Sequence, residues 1–159
     1  AGWYQNGTQA IFACGGSMFA SVSAAAEAAD AKVIGVDTDQ SAIIDAAYGE
    51  GMTVTSAMKG LYPATYDTLT DVVINGNWDK YVGKIATLGL VSGTDPEANY
   101  VQIPMGDGTQ WSDSFTQDDY KAMVKDMFDG KITVSNDTGK APADFATVIS
   151  VDDQGAIKG

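Results

Sequence analysis

Lys32-Val-Ile-Gly-Val-Asp-Thr-Asp-Gln40 is an apolar, β-branched run that stops at an acidic pair. Side chains of this kind suit the pleated surface of a strand. Two neighbouring stretches share the design. Ala10-Ile-Phe-Ala-Cys-Gly-Gly-Ser17 precedes it, and Met52-Thr-Val-Thr-Ser-Ala-Met-Lys-Gly60 follows it. Between the first two lies an alanine-rich segment that reaches Asp30, a good helix former for which Ser17 is the expected N-cap. Strand, helix and strand at this spacing predict a right-handed βαβ unit. Glycines, carboxylates, hydroxyls and a lysine thus gather where successive strands end. In an open parallel sheet, ligands bind beyond those carboxyl ends.

Working outward, Gly2 to Gly7 reads as the end of a helix with its turn. Ala10 to Cys14, Lys32 to Val36 and Thr53 to Ala57 are the three expected strands. Ser41 to Gly51 reads as a turn or a short helical piece on the rim. Leu61 to Ile74 is expected to be helical, with Pro63 tolerated in its first turn and Asn75-Gly76 ending it. Gly83 to Leu90 and Tyr100 to Pro104 read as short strands, and Met105 to Ser114 as a polar loop holding Trp111. Thr116 and Asp119 have capping-box spacing. Tyr120, Met123, Val124, Met127 and Phe128 then recur at helical period up to Gly130. Ile132 to Val134 and Thr147 to Val151 complete the expected strands.

A chain of 159 residues with 45% hydrophobic content suits one domain with a core of its own. Its net charge of −12 gives a surface that repels phosphate backbones and anionic lipid, which argues against nucleic-acid binding. The chain has no histidine, which excludes Ser-His-Asp and Cys-His catalysis and any His-containing zinc site. A single cysteine, Cys14, leaves no intrachain disulfide. Its place in an apolar strand predicts a buried, inert thiol. No apolar run reaches the ~18 residues of a membrane span. Asp107, in a Gly-Asp-Gly turn, and Asp113 lack the spacing and final glutamate of a calcium loop, so no metal is expected.

Asp37 is the sharpest site candidate, because a strand-end carboxylate accepts two hydrogen bonds from a vicinal diol. Asp39 and Gln40 extend the same loop. Lys59 follows Thr53-Val-Thr-Ser-Ala-Met58 and is placed to neutralise Asp37 or donate to a ligand oxygen. Ser56 adds a hydroxyl. Gly16 and Ser17 offer backbone N–H groups and a hydroxyl at a helix start, and Phe19 offers a ring for stacking. Each has an ordinary alternative: turn capping for the aspartates, a solvated lysine, core packing for Phe19.

These features admit more than one class of protein. Gly15-Gly16 after a strand, with Asp37 about 20 residues on, approximates a dinucleotide-binding fingerprint. The G-x-G-x-x-G pattern is absent, and Met18-Phe19 stand where small residues are needed. A phosphoacceptor receiver would need an acidic pair on its first strand, and Phe12-Ala13-Cys14 supplies none. A solute-binding protein needs only shape, polar clamps and a stacking surface.

Gly7-x-x-Ala-Ile-Phe-Ala-Cys-Gly-Gly16, Val33-Ile-Gly-Val-Asp-Thr-Asp-Gln40, Val54-Thr-Ser-Ala-Met-Lys59 and Tyr66-Asp67 together resemble the basic membrane protein family. These are substrate-binding lipoproteins of ABC transporters and include purine nucleoside receptors. The resemblance covers residues 7 to 75, and Phe115-Thr-Gln-Asp-Asp-Tyr with Asp129-Gly-Lys is similar to the family's C-terminal helix. One departure is clear: Ser17-Met18-Phe19-Ala20 replaces the family's Thr-Gly-x-Gly.

The resemblance implies a type I periplasmic-binding fold, three layers α/β/α around a mostly parallel sheet, in which two lobes close over a ligand. Residues 1–60 would belong to the second lobe. Residues 61–159 would supply a hinge-crossing helix and the C-terminal strands and helix. Family members are longer, so the chain would correspond to their C-terminal portion, with the first lobe outside it and an exposed apolar edge open to homodimerisation. Asp37 and Lys59 would hold the ribose of a nucleoside, with no cofactor and no bond chemistry. The implied partners are ABC permease subunits, and the implied place is extracytoplasmic, lipid-anchored at the membrane or periplasmic. A sugar receptor of the same fold and an NAD-binding oxidoreductase domain are the alternative expectations.

Overall fold

The computed structural model describes residues 1–155. Its centre is a four-stranded sheet in the order β1 (Ala10–Phe12), β2 (Lys32–Asp37), β3 (Thr53–Lys59), β4 (Val101–Gln102). The first three strands are parallel, and β4 runs antiparallel to β3. Helix α1 (Gly2–Gln5) precedes β1, α2 (Phe19–Glu27) joins β1 to β2, and α3 (Ser41–Tyr48) joins β2 to β3. Both crossovers advance in one direction across the sheet, so right-handedness puts α2 and α3 on the same face. There they pack against each other and against the strands. The α/β character expected from the opening stretch is therefore present.

The core lies between this sheet and these helices. Val33, Ala26 and Ile44 are completely buried, joined by Tyr4 and Met52 and flanked by Ile11, Phe19 and Val22. Burying a side chain of the size of Val33 or Ile44 contributes about 1.5–3 kcal/mol. The Tyr4 hydroxyl donates to the Lys32 carbonyl at 2.7 Å, tying α1 to the start of β2. Asp45 holds the turn from α3 into β3: its carboxylate accepts from Gly51 N at 3.0 Å, Thr53 N at 2.9 Å and Thr53 Oγ1 at 2.8 Å. On the opposite face Phe12 remains 46% exposed, and Ala57 is exposed as well.

Helix α4 (Leu61–Leu69) runs into a π-helical turn over Thr70–Ile74, with Asn75 as its C-cap and Gly76 in the left-handed region. Asp71 clasps this turn, accepting from Asn77 Nδ2 at 2.6 Å, Lys80 Nζ at 2.8 Å and the Tyr81 hydroxyl at 2.9 Å. Those donors hold its carboxyl well below the usual carboxylate range. Leu61, Tyr62, Tyr66, Leu69, Val73 and Ile74 are exposed. Helix α5 (Gln117–Phe128) carries the expected capping box: Thr116 Oγ1 accepts from Asp119 N at 3.2 Å, and Thr116 N donates to Asp119 Oδ2 at 2.8 Å. Tyr120 and Val124 are its buried face, and Tyr120 packs on Trp111.

Several expectations are corrected. Gly83–Leu90, Ile132–Val134 and Thr147–Val151 form no strands. Their β-branched residues find no partner strand, and strand preference without cross-strand neighbours does not hold a strand. Helix α2 ends at Glu27, short of Asp30, whose φ of 51° belongs to the turn. Ser17 is not an N-cap, because a 3₁₀ turn over Gly16–Met18 intervenes and Met18 occupies the cap position without a side-chain bond. β1 stops at Phe12, and Gly15 N turns back onto Ala13 O at 2.8 Å. Cys14 is therefore exposed instead of buried in a strand.

Candidate functional site

Parallel pairing sets Asp37 opposite Met58, so β2 and β3 finish side by side. Asp37 turns off the sheet with φ of 70°, in the left-handed region that side chains other than Asn and Asp enter with difficulty. Strain of this kind clusters at binding sites, where the surrounding structure enforces it. The next residue after Met58 is Lys59, and its Nζ meets Asp37 Oδ1 at 2.6 Å. The pair stands in solvent: the Lys59 side chain is 68% exposed and that of Asp37 36%. The Asp37 carboxylate, by hydrogen bond and by charge, raises the Lys59 pKa above its ordinary value.

Gln40 and Ser56 lie underneath. Ser56 is fully buried and Gln40 nearly so. Ser56 Oγ accepts from Gln40 N at 3.1 Å, Gln40 Oε1 accepts from Val36 N at 3.0 Å, and Gln40 Nε2 donates to Gly16 O at 3.4 Å. Through its side-chain amide Gln40 thus links the end of β2 to the turn after β1, and through its backbone N–H it reaches Ser56 in β3. Gly35 makes room for it, since a Cβ there would stand 2.5 Å from Ser56 Oγ and 3.0 Å from Gln40. With these atoms engaged inside the protein, Gln40, Ser56 and the Gly16 carbonyl set the position of the Asp37 loop.

The remaining candidates are placed separately. Asp39 Oδ1 accepts from Ser41 N at 3.0 Å and Ser41 Oγ at 2.7 Å, steadying the start of α3, and its carboxylate abuts Gly108. Ser17 is exposed in the 3₁₀ turn, and Phe19 is packed against the core. Met18 lies over Gly15, its sulfur 2.6 Å from where a Cβ would be.

Beside the Asp37–Lys59 pair opens a cavity of about 300 Å³, lined in part by Thr38, Met58, Lys59, Tyr62, Glu97 and Gln102. Sequence reading missed Gln102, because only the antiparallel Met58–Gln102 pairing brings the distant β4 to this rim, and it passed over Thr38 and Tyr62, chain neighbours of Asp37 and Lys59. Asn99 organises the approach to β4: its Oδ1 accepts from Val91 N at 2.7 Å and Ser92 N at 2.8 Å, and it is completely buried. No sequence signal marks that role. Among the described residues no group of three or more carboxylates or thiols is placed to hold a metal ion. The arrangement offers one carboxylate with its cation, a partly apolar hollow and polar atoms at its edge. Those are binding elements. No protein-family model matches this sequence, and no curated protein matches it.

Proposed function

We propose that this chain is a ligand-capturing α/β lobe of a solute receptor, that its ligand is a nucleoside, and that it delivers this ligand to an ABC importer. The observation that carries the reading is the Asp37–Lys59 pair at 2.6 Å, exposed at the carboxyl ends of two adjacent parallel strands. A carboxylate there accepts from both hydroxyls of a ribose, and the ammonium beside it donates to a third oxygen. Exposure of the pair suits a site that a ligand enters and leaves. In this reading a facing lobe closes over the bound ligand, and binding stabilises the closed state through contacts made only there. The receptor fold of type I, the permease partner and an extracytoplasmic, lipid-anchored place follow from the same reading through the sequence resemblance. Bond chemistry has no part in it.

The Rossmann reading fares worse on a specific observation. A pyrophosphate needs open backbone at the first glycine turn, and the Met18 thioether lies across Gly15. A sugar receptor shares the Asp37–Lys59 clamp and differs in having no use for the neighbouring hollow.

Isothermal titration with adenosine, guanosine, inosine and ribose tests the proposal. Nucleoside binding that disappears in Asp37→Ala supports it. Ribose binding as tight as that of any nucleoside would move the assignment to a sugar receptor, and binding of NAD alone would revive the oxidoreductase reading.

A further inference from the structure

Helix α4 and the π-helical turn that continues it bury no residue at all. A helix of this length is marginal in water without tertiary packing. Yet Tyr62, Tyr66, Leu69 and Val73 recur along it at intervals of four, three and four, the spacing of a seam between two helices. Leu69, the least open of the four, is 55% exposed. Leu61 and Ile74 extend the apolar strip at its two ends. The segment carries only two charges, and both are held by the chain's own side chains. Asp67 accepts from the Tyr100 hydroxyl at 2.8 Å, and Asp71 holds its clasp. The seam is thus free of charge on a chain of net charge −12.

The whole chain exposes 10928 Å², whereas a folded monomer of 16.6 kDa exposes about 7,600 Å². The irregular, exposed stretch after Gly130 accounts for part of the difference of roughly 3,300 Å². A specific interface needs only about 800 Å² from each partner. We propose that the α4 face docks on the same face of a second copy of the chain, with the two helices antiparallel about a two-fold axis. The shape of the strip sets that choice of partner. Its N-terminal end is bulky: Tyr62 and Tyr66 stack at 5.8 Å between centroids with 13° between planes. Its C-terminal end is hollow, a cavity of about 450 Å³ lined by Tyr66, Leu69, Thr70, Val73 and Ile74. Antiparallel pairing sets Tyr62 against Val73, and Tyr66 against Leu69, of the second copy, so the rings of each copy enter the hollow of the other. One surface fills itself twice, which is the condition for a closed dimer. A parallel pair would set ring on ring and leave both hollows empty. The contact lies on α4 and not on the edge of the sheet.

Sedimentation velocity of the whole chain over a concentration series, at low and at physiological ionic strength, tests the proposal without any ligand. A dimer is expected, and it should tighten severalfold as salt screens the repulsion between two copies that each carry −12. Val73→Glu and Tyr62→Lys, both at exposed positions, should each weaken dimerisation at least about tenfold, because each buries an unpaired charge. The circular dichroism of the natural chain should be retained in both. Mixed, the two variants should recover a heterodimer, since antiparallel docking pairs the introduced ammonium with the introduced carboxylate. A natural chain that stays monomeric at every concentration would overturn the proposal, whether or not a variant folds. Dimers that persist undiminished in both variants would overturn the α4 face as the contact. Dimers weakened by each variant and not recovered in the mixture would overturn the antiparallel arrangement. Nucleoside binding is read separately, so its failure leaves this contact untouched.

Discussion

Asp37 and Lys59 meet at 2.6 Å although 21 residues and a complete helix separate them in the chain, because β2 and β3 run parallel and end together. The left-handed φ of 70° lets the Asp37 backbone leave the sheet at this point. Under the proposed reading, both the conformation and the ion pair serve binding. Exposed pairs contribute about 0–1 kcal/mol.

Asp37→Asn separates the two roles. Asparagine adopts the left-handed region at least as readily as aspartate, so the unfolding free energy from urea titration is expected to change by less than about 0.5 kcal/mol. Nucleoside binding, which needs an acceptor at both oxygens, is expected to be lost. A large fall in stability, or retained binding, would contradict the assignment.

The Lys59 ammonium gives a pH dependence of known sign. Its folded pKa is raised by Asp37, so the pair stabilises fully below the ordinary lysine value of about 10.4 and the contribution disappears as pH rises through the folded value. The difference in urea midpoint between the natural chain and Lys59→Gln is therefore expected to be constant near neutrality and to vanish in strong alkali. A difference that persists there would mean that Lys59 acts through packing.

Gly35 has no φ requirement, yet its site admits no Cβ, because Ser56 Oγ and Gln40 occupy the space. Gly35→Ala is expected to cost about 1–3 kcal/mol as an overpacked core position. It should also disturb the Asp37 loop, since Gln40 bonds to Val36, Ser56 and Gly16 at once. Urea unfolding reads the first effect, and weakened nucleoside binding reads the second.

Acid acts elsewhere. The Thr116 side chain and backbone lower the Asp119 pKa, and the donors around Asp71 lower that of Asp71. A lowered carboxyl pKa stabilises above the unfolded value of about 3.9 and is lost as pH falls through the folded value. Thr116→Ala is expected to cost about 1 kcal/mol near neutrality, as for other N-caps. That difference should shrink towards low pH, where Asp119 loses its charge. Thermal melts at pH 7 and in acid check both statements.

The fold was legible where local pattern and tertiary partner agree. Val33 to Val36 has a strand on each side and reads as it folds, and Thr116 with Asp119 forms its box within one helical turn. Ile132 to Val134 has the same residue preferences as β2 and no strand beside it, so it forms no regular element and stays exposed. Among the site residues, Asp37 and Lys59 were visible because strand ends concentrate ligand chemistry. Ser56 and Gln40 carry the same polar atoms, but their burial by Gly35 and the Gly16 turn depends on contacts across three strands. Gln102 depends on the return of β4, for which a two-residue strand leaves almost no sequence trace.

The most direct test is titration calorimetry of adenosine and guanosine into the natural chain and into Asp37→Asn, at neutral pH, with urea unfolding of both proteins alongside. The account predicts saturable heat for the natural chain and none for a variant of unchanged stability. Equal binding by the two proteins, or no nucleoside heat from the natural chain, would contradict it.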